Sequence, residues 1–343
     1  MLPWFDKSFS RCYNRYYIIE QKQEASMDII LACVLLVVGF VLLIKGADFF
    51  VDGASSIAAK LKVPSLIIGL TVVSIGTSLP EAAVSISSSL SGSNDISLGN
   101  VIGSNLFNLL VVVGVSSVIL PIITDRDILK RDMPVNIAGT AILCAMLLDG
   151  TLSRIEAAIL LVLLVTYMFI LIRSALKNRT EEEEETKVLS WAKSLLFVVL
   201  GAAAIIFGGD MVVDNAKIIA LKLGMGETLV GLTIVAIGTS LPELVTSIIA
   251  AKKGDSGIAM GNVVGSCIFN IFFILGMSGV ISPLKADSAF FIDTGILIGV
   301  CLLMRLFAFT KKKTSRLEGG ISVLLYIAYT AYIIMRAFHI WIF

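Results

Sequence analysis

The chain has 343 residues, of which 57% are hydrophobic and only 15% are charged, and its formal net charge is +1. Soluble globular proteins usually carry about 25% charged residues, so the composition excludes an ordinary soluble domain. The near-neutral charge gives no electrostatic basis for binding nucleic acid.

The first residues, 1–26, form a leader with several aromatic and basic side chains. It lacks the cleavage-site pattern of a signal peptide. Met27 stands directly before the first apolar run and is a candidate alternative start. We therefore expect the leader to be dispensable.

Long apolar runs follow one another through the rest of the chain. A transmembrane helix needs about 20 predominantly apolar residues. The sequence therefore predicts an all-α polytopic protein of the cell (plasma or inner) membrane with ten transmembrane helices. The ten spans cover approximately residues 28–50, 64–91, 96–119, 133–149, 153–174, 190–216, 227–252, 257–281, 288–309 and 318–338.

The longest hydrophilic connection joins the fifth and sixth spans and contains the acidic run Glu181–Glu185. We interpret residues 176–190 as a solvated linker between a first unit, 27–175, and a second unit, 191–343. Lys and Arg are more frequent in the connections on the linker's side of the membrane. Because basic connections usually face the cytoplasm, the linker is predicted to be cytoplasmic and both termini external.

Three blocks of the first unit recur in the second at one constant spacing, the repeat offset, which takes position 46 to 208, 69 to 231 and 99 to 261. The matched pairs are GADFFVDGASSIAAKL (46–61) with GGDMVVDNAKIIALKL (208–223), GLTVVSIGTSLPEAAVSI (69–86) with GLTIVAIGTSLPELVTSI (231–248), and GNVIGSNLFN (99–108) with GNVVGSCIFN (261–270). Each unit holds five spans, an odd number, so the second copy enters the membrane from the opposite side. Two inverted five-helix repeats are a transporter architecture.

The second block places the hexapeptide GTSLPE inside two apolar segments, with Pro80 in one copy and Pro242 in the other. Proline lacks an amide hydrogen and its ring crowds the preceding turn, so it breaks a helix and frees backbone carbonyls. Hydroxyl side chains flank each break and a glutamate follows it. The pattern predicts two matching patches of oxygen atoms near the bilayer midplane. Their side chains are Thr77, Ser78 and Glu81 in the first copy and Thr239, Ser240 and Glu243 in the second.

The third block carries polar residues at every fourth position, which places them on one face of a helix. We expect these two polar stripes to face the two glutamates, and the glycines between them to allow close helix approach. The stripes are Asn100, Ser104 and Asn108, and Asn262, Ser266 and Asn270; the glycines are Gly99, Gly103, Gly261 and Gly265.

A charged side chain in the middle of a span costs at least about 2.5–3.5 kcal/mol, and no Lys or Arg lies near either motif to neutralise Glu81 and Glu243. Glutamates kept protonated by neighbouring hydroxyls are the structural alternative to a cation site. Every candidate ligand is an oxygen atom, and the single histidine and scattered cysteines do not suggest a soft metal. Such oxygens suit Ca²⁺, with the two glutamates as its charged ligands, or Na⁺.

The paired GTSLPE and GNxxGS motifs resemble the two alpha repeats of the cation/calcium exchanger superfamily, most closely those of its microbial sodium/calcium exchanger branch. The resemblance covers the chain after Met27. It implies exchange of Ca²⁺ for Na⁺ by alternating access, commonly with three sodium ions per calcium ion. It also implies that the first and sixth spans slide across a bundle of the other eight. Nothing in the sequence indicates a cofactor or an obligate protein partner.

By position, the resemblance implies ion ligands in both copies, including backbone carbonyls at Ser74 and Ala236. Asn270 stands where the potassium-dependent exchangers carry aspartate, which leaves two carboxylates and weakens the case for potassium co-transport. The implied set is Ser74, Thr77, Ser78, Glu81, Ser104, Asn108, Ala236, Thr239, Ser240, Glu243, Ser266 and Asn270.

A Ca²⁺/H⁺ exchanger is the nearest alternative, because two carboxylates that share a site hold a proton more tightly. That branch typically shows GNxxE where this chain has GNxxGS. An ion channel usually gathers its pore from symmetric subunits, whereas this chain carries its symmetry internally. An intramembrane hydrolase would need unequal acid and base roles, which two identical motifs do not suggest. We predict an electrogenic antiporter that extrudes calcium, and not an enzyme.

Overall fold

The computed structural model describes residues 5–92, 94–177, 188–224 and 236–337, and in these ranges the protein is almost entirely helical. The α-helices are α1 (Phe5–Leu61), α2 (Ser65–Ile68), α3 (Ser74–Thr77), α4 (Leu79–Leu90), α5 (Asn94–Phe107), α6 (Val113–Ile119), α7 (Met133–Met146), α8 (Arg154–Lys177), α9 (Trp191–Lys222), α10 (Ala236–Gly238), α11 (Leu241–Lys252), α12 (Ser256–Phe269), α13 (Leu275–Ile281), α14 (Ser288–Lys311) and α15 (Arg316–Ala337).

Short irregular elements join several of these helices. Wide π-helical turns are often found at functional sites, and two of those described here begin at Asn108 and Asn270 of the polar stripes. The π-turns are Gly69–Val73, Asn108–Val112, Ile128–Asp132 and Asn270–Ile274; a 3₁₀ turn covers Leu147–Asp149; the strands are β1 (Ile122–Ile123), β2 (Thr151–Leu152), β3 (Leu284–Lys285) and β4 (Lys313–Thr314).

The described helices include eight that are long and apolar enough to cross a membrane, and one bent pair that forms a ninth candidate. They confirm a multi-pass membrane protein. Nine of the ten predicted spans overlap these segments, while the predicted span 227–252 begins outside the described residues. The candidates are Ile29–Leu61, Ser65–Thr77 with Leu79–Leu90, Ile96–Ile119, Ile128–Asp149, Arg154–Lys177, Trp191–Lys222, Ser256–Ile281, Ser288–Lys311 and Arg316–Ala337.

Two of these helices are longer than the sequence predicted. Span Ile29–Leu61 has 33 residues and Trp191–Lys222 has 32, about 50 Å each, whereas the hydrocarbon core is about 30 Å thick. Asp48 and Asp52 interrupt the apolar run of α1, yet the helix continues past both, and Lys253 pairs with both carboxylates at 2.6 Å. The backbone of the predicted leader belongs to α1 from Phe5 onwards, and its dispensability stays a prediction.

The short strands show the duplication in three dimensions. β1 pairs antiparallel with β4, and β2 pairs antiparallel with β3. Because β3 and β4 follow β1 and β2 at the repeat offset, each ladder joins one copy to the other, and exchanging the copies exchanges the ladders. A two-fold relation requires this reciprocity.

Helices α1 and α9 contact each other along a glycine seam. A Cβ on Gly201 would lie 2.8 Å from the carbonyl oxygen of Gly46, and one on Gly208 would lie 2.8 Å from that of Gly39. The two helices also share a hydrophobic core with α11 and the start of α12, separate from the larger core of the other helices. The seam therefore joins α1 and α9 into one tightly packed pair.

The seam predicts a difference between two identical substitutions. Gly201→Ala places a methyl group 2.7 Å from the backbone nitrogen of Phe50, whereas no described atom lies within 4 Å of the same group on Gly299 of α14. We expect Gly201→Ala to lower the free energy of unfolding by about 1–3 kcal/mol, and Gly299→Ala, in an uncrowded helix interior, to raise it by about 0.5–1 kcal/mol. Thermal unfolding of the two variants in detergent measures this, and equal midpoints would contradict the seam.

Candidate cation-binding site

Both GTSLPE motifs interrupt a helix. Pro80 and Pro242 lie in the first turns of α4 and α11, where the missing amide hydrogen costs no helical bond. The helical pair on either side of Ser78 is bent by 50°, and Ser240 has nearly the same backbone angles as Ser78. The predicted break is therefore present in both copies, and each new helix starts with its glutamate in the first turn.

From the sequence, the prolines are expected to free backbone carbonyls at the breaks, but the carbonyl of Ser74 is hydrogen-bonded. Pro80 removes the donor that would bond to the carbonyl four residues earlier, at Gly76. The carbonyl of Ser74 accepts a hydrogen bond from the Ser78 amide (3.1 Å) and lies 3.3 Å from the Thr77 hydroxyl oxygen. At the second break the Ser240 amide donates to the carbonyl of Ile237 (3.2 Å). A ligand role for the carbonyls of Ser74 and Ala236 stays a prediction.

The two glutamates are joined across the copies by reciprocal hydrogen bonds. The Ser78 hydroxyl donates to Glu243 Oε1 at 2.8 Å, and the Ser240 hydroxyl donates to Glu81 Oε1 at 3.1 Å. Both glutamates are fully buried. The two patches expected from the sequence thus form one site, in which each copy supplies the hydroxyl that orients the other copy's carboxylate.

No basic side chain balances the two carboxylates in the part of the chain that the structure describes. The ion pairs there join Arg131 to Asp127 and Asp132, Lys253 to Asp48 and Asp52, and Arg336 to Asp293. Within the same ranges no cluster of three or more His, Cys, Asp and Glu side chains could hold a metal ion. A cation here would meet two carboxylates and otherwise neutral oxygens.

Several buried oxygens of the predicted site have no hydrogen-bond partner among the described residues. A buried polar atom without a partner costs about 1–3 kcal/mol, and more if it is charged, so a cluster of them marks a place where a ligand is expected. Ca²⁺ takes 6–8 oxygen ligands in a flexible geometry, which fits this donor set. The oxygens are Glu81 Oε2, Glu243 Oε2, Ser104 Oγ, Asn108 Oδ1, Thr239 Oγ1 and Asn270 Oδ1.

The polar stripes face the glutamate-bearing helices, as predicted. Asn262 Nδ2 donates to the backbone carbonyl of Glu243 (3.3 Å) and to Ser247 Oγ (3.0 Å). In the first copy, Asn100 Nδ2 donates to the carbonyl of Glu81 (3.1 Å) and to Ser85 Oγ (2.9 Å). The first residue of each stripe therefore holds the backbone of its glutamate.

Thr77 and Ser266 complete the hydrogen bonds between the copies. Thr77 Oγ1 donates to Asn262 Oδ1 at 3.0 Å, and Ser266 Oγ lies 3.4 Å from Glu243 Oε1 and 3.5 Å from the carbonyl of Ser74. Thr77, at the break of the first copy, thus bonds to the polar stripe of the second copy. Ser266, in that stripe, lies close to the break of the first copy and to Glu243.

The glycines of the second stripe allow the close approach that the sequence predicts. A Cβ on Gly261 would lie 2.8 Å from the carbonyl oxygen of Leu66, and one on Gly265 would lie 2.7 Å from Ser74 Oγ. For Gly99 and Gly103 the equivalent partners fall in residues 228–236, most of which lie outside the described ranges, so their role stays a prediction.

Asn105 is a site residue that the sequence analysis missed. Its Oδ1 accepts a hydrogen bond from Asn270 Nδ2 (3.0 Å), while its own Nδ2 donates to the carbonyl of Cys267 (3.2 Å). This chain of bonds fixes the amide of Asn270 with its nitrogen toward Asn105 and its oxygen away from it. That Oδ1 is one of the unpartnered buried oxygens.

The equivalent amide in the first copy has no such support. The counterpart of Asn105 at the repeat offset is Cys267, a buried free thiol whose Sγ lies 3.9 Å from the carbonyl of Asn105. Both amide atoms of Asn108 are buried without a described partner. The aligned blocks already showed Asn opposite Cys at this position, but the spacing alone did not reveal the contact with Asn270.

Known proteins of similar sequence identify the family. The family model described as "Sodium/calcium exchanger protein" matches residues 31–173 and again 193–335. The chain belongs to the sodium/calcium exchanger family. Among its relatives, the inner membrane protein YrbG of Escherichia coli is 36% identical over 309 residues, 86% of this chain and 94% of YrbG. The sodium/calcium exchanger MaX1 of Methanosarcina acetivorans is 36% identical in an alignment 336 residues long, which covers 86% of this chain and 96% of MaX1.

Solved structures of a family member have the same fold. The sodium-calcium exchanger NCX_Mj soaked with Na⁺ and Sr²⁺ superposes with a TM-score of 0.79 at 35% sequence identity, covering 88% of this chain and 98% of that one. The same exchanger soaked with Na⁺ and Ca²⁺ gives a TM-score of 0.78 at 34% identity. The helical bundle described above is therefore the exchanger fold.

The Asn105 contacts predict an effect on ion affinity. Asn105→Ala removes the acceptor that orients Asn270, and a net hydrogen bond is worth about 0.5–1.5 kcal/mol, so ⁴⁵Ca²⁺ binding should weaken about two- to tenfold. Cys267→Ala truncates the equivalent position of the other copy, whose side chain orients no amide, and should bind as the unmodified protein does. Equal losses in the two variants would show that packing, not amide orientation, is responsible.

Proposed function

We propose that the protein is a secondary-active antiporter that exchanges Ca²⁺ for Na⁺ across the membrane by alternating access. The observation that carries the proposal is the buried pair Glu81 and Glu243, each hydrogen-bonded to a serine of the opposite copy. Membership of the exchanger family, and relatives named as sodium/calcium exchangers, support it.

The two glutamates neutralise one Ca²⁺, and the unpartnered oxygens around them complete its coordination. Ser78 and Ser240 keep lone pairs free for an ion while their protons hold Glu243 and Glu81. The same oxygens bind Na⁺ when calcium leaves, so the two ions compete for one set of ligands. The ligands of the proposed site are Thr77, Ser78, Glu81, Ser104, Asn108, Thr239, Ser240, Glu243, Ser266 and Asn270, with backbone carbonyls at Ser74 and Ala236.

Ten spans in two inverted five-helix repeats, 27–175 and 191–343, give this site access to both sides of the membrane. The reciprocal strand pairing and the reciprocal Ser–Glu bonds support a two-fold relation between the copies, with its axis in the membrane plane. The linker 176–190 lies on the cytoplasmic side and both termini lie outside.

The tightly packed α1 and α9 are the element that moves. They contact each other through the glycine seam, and they pack on the bundle through a core that is separate from the bundle's larger one. A rigid pair that slides across the bundle exposes the site to one side and then to the other. The contacts that change in this motion are those with the residues of α2, α11 and α12 in the smaller core.

Charge and energy give the direction of exchange. The site carries a charge of about −2 without ions, about 0 with Ca²⁺ and about +1 with three Na⁺, so each cycle moves one net charge, worth ~2.3 kcal/mol per 100 mV. A tenfold sodium gradient used three times adds ~4.1 kcal/mol. The sum of ~6.4 kcal/mol sustains a calcium ratio of roughly tens of thousands. The exchanger is electrogenic and extrudes calcium.

Exchange of Ca²⁺ for H⁺ is the second candidate, because the described residues place no basic group beside the buried glutamates and protons would neutralise them. Sodium is the preferred counter-ion because this chain has GNxxGS at 99–104 and at 261–266, where the proton-coupled branch typically shows GNxxE. The relative named as a sodium/calcium exchanger supports the same choice.

The deciding experiment is ⁴⁵Ca²⁺ uptake into proteoliposomes at clamped voltage, driven either by internal sodium or by a proton gradient. Uptake that requires internal sodium is expected. Uptake driven only by protons would replace sodium with protons as the counter-ion, and no uptake under either gradient would overturn the antiporter proposal.

Each glutamate should be essential for transport. Glu81→Gln and Glu243→Gln each remove a charged ligand, and we expect calcium uptake to fall by about ten- to a hundredfold or more, since hydrogen bonds and contacts to charged groups are worth ~1.5–3 kcal/mol each. Glu318→Gln is the matched control, because this glutamate caps α15 by accepting from the Ser315 amide (2.7 Å). Uptake should persist in the control; normal uptake in either site variant would exclude that glutamate.

A further inference from the structure

A cavity of about 440 Å³ lies between the start of the span Ile128–Asp149 and the end of α8. We call it the basic cavity. Its lining includes the basic residues Lys130, Arg131, Arg173 and Lys177 and the apolar residues Phe169 and Ile170.

One of these basic residues is already balanced within the protein. Arg131 donates to both carboxylate oxygens of Asp132 (2.7 and 3.0 Å) and to Ser174 Oγ (2.7 Å), and lies 3.5 Å from Asp127. The other three, Lys130, Arg173 and Lys177, are exposed and make no hydrogen bond or ion pair within the described residues. Asp127 also lines the basic cavity, so the four basic side chains, counted with Asp127 and Asp132, leave it with a formal charge of +2.

The second copy provides an internal control for these charges. At the repeat offset, Lys130 corresponds to Ile292 and Arg173 to Met335. The helix contact itself is retained there, because Asp293 and Arg336, the counterparts of Arg131 and Ser174, pair at 2.8 Å. The fold thus makes the same contact without cations at the two positions, so packing does not account for Lys130 and Arg173.

The basic and the apolar residues of the cavity lie at different depths, as the head group and the acyl chains of a phospholipid do. Helix α8 has 24 residues, about 36 Å, which exceeds a hydrocarbon core about 30 Å thick. Its C-terminal end carries Arg173 and Lys177, and because charged side chains are costly in hydrocarbon, this end is expected to lie outside the core. Phe169 precedes Lys177 by two turns, about 12 Å, and is 64% exposed, while Ile170 is 45% exposed. The cations stand at head-group depth and the apolar wall stands beneath them.

We propose that the basic cavity binds the phosphate head group of an anionic phospholipid, with Lys130, Arg173 and Lys177 around the phosphate and the apolar wall against its acyl chains. Basic pockets between transmembrane helices commonly bind such head groups. The acidic run Glu181–Glu185, outside the described residues, is the other candidate occupant. It offers negative charge but no apolar group to cover Phe169 and Ile170.

Lipid binding to the full-length, delipidated protein tests the proposal, with phosphatidylglycerol and phosphatidylcholine titrated separately and bound lipid counted by native mass spectrometry. The test variant is Lys130→Gln/Arg173→Gln/Lys177→Gln. The control is Lys311→Gln/Lys312→Gln/Lys313→Gln, which removes the same charge from exposed positions at the same end of the bundle, where β4 pairs with β1.

Phosphatidylglycerol should bind the test variant at least about tenfold more weakly, since each Lys or Arg near a lipid head group contributes to affinity. The control variant should bind it normally, and phosphatidylcholine should not distinguish the three proteins. A smaller loss, or an equal loss in the control, overturns the proposal.

Two further arms identify the occupant. A large excess of inorganic phosphate should leave phosphatidylglycerol bound, because phosphate lacks the apolar contacts; displacement would mean a free-phosphate site. Changing Glu181–Glu185 to glutamine should leave lipid affinity unchanged; tighter binding would mean that the acidic run occupies the cavity. Neither arm depends on transport, so the result is independent of the proposed exchange.

Discussion

The hydrogen bonds that cross between the two helix breaks are the interaction on which the rest of the structure depends. A serine beside each break orients the carboxylate of the other copy, and this geometry exists only if both breaks lie face to face in the protein interior. The prolines, the close glycine contacts of α12 and the asparagines that hold the glutamate backbones all serve to bring them there. The two similar halves of the chain thereby form a single site.

The two copies differ in particular hydrogen bonds and ion pairs. Asn105 orients Asn270, but its counterpart Cys267 orients no amide. Lys253 pairs with Asp48 and Asp52 of α1, whereas the residue equivalent to Lys253 is Ser91. In the proposed alternating-access cycle of two inverted repeats, identical copies would make the two end states equal in energy. The proposal therefore assigns any energy difference between those states to positions such as these.

Much of the site could be predicted from the sequence because local chemistry determines it. Proline in the first turn of a helix fixes the break, spacing by four fixes the polar stripes, and the constant repeat offset fixes which positions are equivalent. The sequence could not show that Ser78 reaches Glu243 rather than Glu81, because that contact depends on how four helices pack. For the same reason the role of Asn105 was not predicted, because its partner Asn270 is distant in sequence.

The central claim is that both copies build one shared cation site. Isothermal titration of purified protein with Ca²⁺ in sodium-free buffer tests it most directly, using the unmodified chain and each glutamate variant. The account predicts one Ca²⁺ per chain, with binding lost in Glu81→Gln and equally in Glu243→Gln. Two Ca²⁺ per chain, with one retained by each variant, would show two independent sites and contradict it.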